Sequence, residues 1–161
     1  MVRLVNMTDK QCLLLAIEQG RESMKKGGFP AGSTIVKDGK IIAEEISIGY
    51  NLNDPTAHCD IAAIRKACQA LNTSNLEGAT LYDALECCNM CFSVAYWAGI
   101  SKIVYACRKT PEMVKKQFYE GSTSNNPINE SNNRKIELVF IPDCEQESLE
   151  IVREWEKKNN L

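Results

Sequence analysis

Histidine is almost missing from this chain. His58 is the one histidine in 161 residues, so any imidazole that binds a metal or moves a proton must be that one. A basic excess is missing too: 19 Lys and Arg stand against 21 Asp and Glu, for a net charge of −2. Domains that grip a phosphate backbone usually carry the opposite balance, so nucleic acid is a disfavoured partner. No apolar run is long enough to span a bilayer. The opening MVRLVNMTDK has no signal-peptide core. The expectation is a cytoplasmic protein without a membrane partner.

What is present is ordinary globular composition, 44% hydrophobic and 25% charged. The length suits one domain over residues 1–161, with a core that needs no disulfide staples. Cysteine is the exception, with eight residues. In a reducing compartment such a count points to metal ligation rather than to a disulfide framework. Cys12, Cys68 and Cys107 lie in apolar stretches and read as small buried hydrophobes.

The pattern alternates. Thr8 and Gln11 form a capping box for a helix whose stripe includes Cys12, Leu15 and Ala16 and which ends near Gly27-Gly28. Two β-branched runs joined at Asp38-Gly39 predict a hairpin with a type I′ turn. Asn53-Asp54-Pro55 breaks the chain, and Thr56 is the expected N-cap of a helix to Leu71. ATLYDAL reads as a strand, CCNMCFSVAYWAG as a helix with Gly99 at its C-terminus, and SKIVYAC as a strand. Pro111 opens another helix. The Ser/Asn-rich stretch 121–133 reads as a long loop. KIELVFI is the last strand, and a charged amphipathic helix closes the chain. Helices alternating with strands predict a three-layer α/β/α sandwich with a mixed central sheet.

His58 opens one helix, and Cys88-x-x-Cys91 opens the next. Helices that follow strands of one sheet can bring their N-termini together at one sheet edge. One imidazole and two thiolates then supply three ligands of a tetrahedral Zn2+ and leave a fourth position open for water. Helix N-termini also favour the thiolate form. Cys87 is rotated away from Cys91 on a helix, which keeps Cys88 and Cys91 as the ligand pair.

H-x-[acid] followed by C-x-x-C resembles the zinc nucleobase deaminases, with their H-x-E…P-C-x-x-C pattern. NDPTAHCDIAAIRKAC and CCNMCFSVAYWAG, flanked by IVKDGKIIAE and YWAGISKIVYA, resemble the bacterial guanine deaminase branch. The likeness runs to about Cys107 and fades after it. It implies the cytidine-deaminase-like fold, hydrolytic deamination of a free nucleobase or a related small amino-heterocycle, and a homodimer in which the C-terminal segment crosses over. It also implies that Asp60, two residues after the histidine, moves the proton from water to the ring nitrogen and the leaving amine.

Several positions depart from that pattern. Asp60 stands where the family has glutamate, one methylene longer. Cys87 replaces the proline before the first ligand cysteine. Phe29-Pro30-Ala31-Gly32 reorders the family's Pro-Phe-Gly-Ala. Ser47 aligns with an asparagine that contacts the base, with Asn51 and Asn53 nearby. Glu112 or Glu120 stands for the acid that fixes guanine. For the substrate, Phe29 offers a ring to stack on a base, and the backbone N–H groups near Ala57 and Cys88 offer donors. Tyr96 and Trp97 read as core aromatics, and Trp155 as packed on the domain or on a second subunit. Two other readings stay open here. One is a zinc domain without catalysis, serving as a binding or regulatory subunit. The other is a cytosine, nucleoside or tRNA adenosine deaminase.

Overall fold

A computed structural model describes residues 3–4 and 6–161. In chain order the elements are β1 (Arg3–Leu4), α1 (Asp9–Lys25), β2 (Phe29–Lys37), β3 (Lys40–Ser47), α2 (Gly49–Leu52), α3 (Cys59–Leu71) and β4 (Thr80–Asp83). They continue with α4 (Asn89–Trp97), β5 (Lys102–Tyr105), α5 (Pro111–Lys115), α6 (Asn125–Ser131), β6 (Glu137–Phe140), a 3-10 turn (Pro142–Cys144) and α7 (Glu145–Lys158).

The strands form one sheet in the order β1-β3-β2-β4-β5-β6. The pairs from β1 to β4 are antiparallel, and β4, β5 and β6 are parallel. The sheet is therefore mixed, and β4 is the strand where its direction changes. Short turns make the antiparallel half. Asp38 and Gly39 both hold positive φ, 49° and 66°, as the type I′ turn requires. Each parallel step is a crossover, through α4 and then through the α5–α6 stretch, as parallel neighbours need.

Helices cover both faces. Leu13, Ala16 and Ile17 of α1 pack with Ile151 and Trp155 of α7 against Tyr82 and Val104. Ile61, Ile64 and Ala67 of α3 pack with Cys91, Phe92 and Ala95 of α4 against Ile35, Leu81 and Ile103. The expected three-layer α/β/α sandwich is what forms. Gly32 lets α1 approach β2: a Cβ there would lie 2.4 Å from Ala16 O, Gln19 Cβ and Gly20 N. Asp9, in the first turn of α1, accepts from Tyr82 Oη at 2.7 Å and Lys102 Nζ at 2.5 Å. That ties the helix to β4 and β5.

Four expectations are corrected. Thr56 does not cap α3. Its N–H and hydroxyl both donate to Asp54 Oδ1, at 2.8 and 2.7 Å, and this turn delays the helix until His58 is the N-cap. Stretch 121–133 is not all loop, because Asn125–Ser131 is α6. Trp97 is 83% exposed, at the outer end of α4. Cys68 is only partly buried, whereas Cys12 and Cys107 are buried as expected. The capping box at Thr8 and Gln11 forms, and Trp155 packs within its own chain.

Candidate active site

The local sequence turns three side chains toward one point. The Asp54–Thr56 turn hands the chain to α3 with His58 extended at the N-cap, φ −74° and ψ 152°. β4 ends at Asp83, and the link from Ala84 to Cys87 leads to α4, with Cys88 at its N-cap. Cys88 Sγ accepts from the Cys91 N–H at 3.5 Å, so the thiol caps the helix as a serine would.

His58 Nδ1 lies 3.6 Å from Cys88 Sγ and 3.4 Å from Cys91 Sγ. Zinc bonds of about 2.3 Å to sulfur and about 2.0 Å to nitrogen, at tetrahedral angles, put N and S about 3.5 Å apart. The donor set therefore fits zinc in type and in spacing. Its protonation is prepared as well. The hydrogen bond from Cys91 draws the Cys88 thiol down to about 6; burial opposes that shift and the His58 contact adds to it. The same Cys88–Cys91 bond, with burial, pushes Cys91 far up. His58 is held above its usual value, first by its hydrogen bond with Cys88. One thiolate is thus present near neutrality, and metal binding displaces the remaining protons.

The site opens into a cavity of about 930 Å³. Its wall includes Phe29, Ser47, Asn53, His58, Asp60 and Cys88 from the sequence reading, and Glu86, Met90, Gln117, Phe118 and Tyr119, which that reading missed. Four carboxylates line it, Asp54, Asp60, Glu86 and Glu120; no lysine or arginine does, among the described residues. Phe29 is the first residue of β2. It makes edge contacts with Phe118 and Trp155, at centroid distances of 5.4 and 5.1 Å. Ala57 is not in the wall. Its N–H donates to Asp54 O at 3.2 Å and so is not a free donor. Asn51 turns to Lys26 O instead, and Glu112 pairs with Lys116 outside the cavity.

Three polar side chains fix the loop that carries the cysteines: Tyr119 and Glu120 from the wall, and Asn125 from outside it. The Asn89 N–H donates to Glu120 Oε1 at 2.6 Å, and Tyr119 Oη donates to Glu86 O at 2.6 Å. Buried Asn125 of α6 donates to Cys87 O at 2.8 Å. Asp60 and Cys87 of the wall and Asp83 behind it bring one donor atom each within 4.8 Å of one another. Burial, then the facing Asp60, pushes the Asp83 carboxyl well above the ordinary range. The charge in the middle of ATLYDAL was the sequence signal for Asp83.

The sequence model of the cytidine and deoxycytidylate deaminase zinc-binding region matches residues 6–107. The chain belongs to that family. It is a zinc deaminase of the cytidine deaminase superfamily by family and by donor set. A tRNA-specific adenosine deaminase of Aquifex aeolicus is 33% identical over 151 residues, covering 92% of this chain and 95% of that one. The guanine deaminase of Bacillus subtilis is 41% identical over 105 residues, covering 65% and 67%. The solved guanine deaminase of Nitrosomonas europaea superposes with a TM-score of 0.84 at 21% identity, over 98% of this chain and 88% of that one, which shows the shared fold. The family supports a hydrolytic deaminase, and its relatives divide over the substrate.

Proposed function

We propose that this protein deaminates a free guanine-like purine or a related small amino-heterocycle by hydrolysis. What supports this reading is the cavity wall: four carboxylates and no cationic side chain among the described residues. A phosphate would enter it against charge. An amino-heterocycle would enter with ring N–H and amino groups that those carboxylates accept. The relation to tRNA adenosine deaminases makes RNA the reading to test against, and the wall and the net charge of −2 both disfavour it.

In this reading His58, Cys88 and Cys91 hold Zn2+. Bound there, zinc supplies a water that ionises near neutrality. Asp60 takes the proton that this water gives up, passes it to the ring nitrogen, and assists departure of the amino group as ammonia. The carbon loses its amino group and gains oxygen, so water and amine give carbonyl and ammonia. Ser47 and Glu120 flank the ring, and Phe29 closes the apolar side.

Ammonia release is measured on zinc-loaded protein with guanine, adenine, cytosine, their nucleosides, pterins, triazines and an RNA hairpin. Release from a free base, lowered on the order of 10²-fold or more by Asp60→Asn, is the expected result. Release from the hairpin alone would overturn the choice of substrate. Silence across the panel with one zinc per chain would favour a binding or regulatory zinc domain instead.

A further inference from the structure

β4 ends on a charged residue that the chemistry above leaves unused. Asp83 is 1% exposed. Its Oδ1 accepts from the Ser33 hydroxyl at 2.7 Å, whereas its Oδ2 is buried and has no hydrogen-bond partner. Asp83 stands with Asp60 and Cys87 in a cluster that brings one donor atom from each within 4.8 Å of the others. Asp60 and Cys87 line the cavity, so solvent ions reach the cluster from there. Neither carboxylate takes part in an ion pair among the described residues.

Each of the three side chains has a buried donor at its back. Ser33 donates to Asp83, the Asn125 amide lies 3.6 Å from Cys87 Sγ, and the Cys59 thiol donates to Asp60 Oδ2 at 3.5 Å. Donors of this kind orient metal ligands. With Oδ1 engaged by Ser33, Oδ2 is the ligand atom that Asp83 has left over. Bonds of about 2.0 Å to oxygen and about 2.3 Å to sulfur would draw the three donors together without moving the backbone far. A thiol among them selects a zinc-class ion over magnesium or calcium, which take oxygen alone. The wall favours a cation as well, since it carries four carboxylates and no lysine or arginine among the described residues.

We propose that Asp60, Asp83 and Cys87 form a second site for a zinc-class divalent cation, and that filling it switches the enzyme off. Asp60 belongs to both functions. As a ligand it is held by the cation and no longer carries a proton between water and substrate. The first zinc then serves turnover and the second opposes it. The switch rests on the deaminase reading; the site itself does not.

The full chain is titrated with zinc in chelator-buffered solutions, and bound metal is counted by atomic emission. Two equivalents per chain are expected, the second weaker than the first. Asp83→Asn and Cys87→Ser each keep the first and weaken the second by about 100-fold; if one variant does not fold, the other decides. With a substrate, turnover rises with the first equivalent and falls by about 100-fold when the second site is full. In both variants the fall moves to higher free zinc, each read against its own one-zinc rate. One equivalent in a large excess of zinc overturns the site. So does a second equivalent that both variants bind as tightly as the unaltered chain, because it then lies elsewhere. Two equivalents with unchanged turnover overturn the switch. Two equivalents with no turnover on any compound at any zinc level keep the site and count against the deaminase reading alone.

Discussion

Cys87 and Cys88 differ by one backbone step and by everything around them. The Cys88 thiol faces His58 and caps α4. The Cys87 thiol faces Asp60 and Asp83 and lies 3.6 Å from the Asn125 amide. Burial, then the neighbouring Asp83 carboxyl, pushes the Cys87 thiol up, whereas Cys88 is drawn down. Zinc takes thiolates, so the two should not exchange roles. Cys88→Ser is expected to weaken zinc retention on the order of 100-fold or more. Cys87→Ser should keep one zinc per chain. Metal content after dialysis against a graded chelator checks both. The sequence made His58, Cys88 and Cys91 legible because their spacing is local and fixed by two helix starts. Asp83 and Asn125 were not legible as site residues. Their partners, Asp60 and Cys87, lie 23 and 38 positions away, on other elements that only the tertiary fold brings near.

At the level of elements, α1 lies so close on β2 that a single added atom would disturb the contact. Gly32 has no side chain where the helix backbone passes, and an added methyl would meet two backbone atoms and a Cβ at 2.4 Å. None of these is a flexible side-chain tip, so the helix itself must move. Gly32→Ala is expected to cost about 2–3 kcal/mol, read as a lower denaturant midpoint at unchanged slope. The helices and strands with strong local signals were legible: the capping box of α1, the Asp-Gly turn, and Pro111 at the start of α5. α6 was not. Asn-rich sequence has weak helix propensity. This helix is held by tertiary bonds instead, with Asn125 on Cys87 and Asn129 on both polar groups of Ile136. β1 pairs over two residues, too few for a periodicity to declare itself.

Across the whole molecule, the cavity lies where β4 joins an antiparallel half-sheet to a parallel one. The ends of β3 and β4, the start of α4 and the chain after α5 all converge there. Alternation alone announced the layered sandwich, since neither face of the sheet can be left open to water. The strand order was not announced, and it is this order that sets Ser33 beside Asp83. The two indoles are divided across this architecture. Trp97 stands 83% exposed at one end, while Trp155 is 8% exposed and packs on Phe29 and Phe118, both of which line the cavity. Emission from the folded chain is therefore the sum of a wet fluorophore and a dry one. Iodide should quench the first and spare the second. In Trp97→Phe the remaining blue-shifted band should respond when a base enters, so the protein carries its own optical reporter of cavity occupancy.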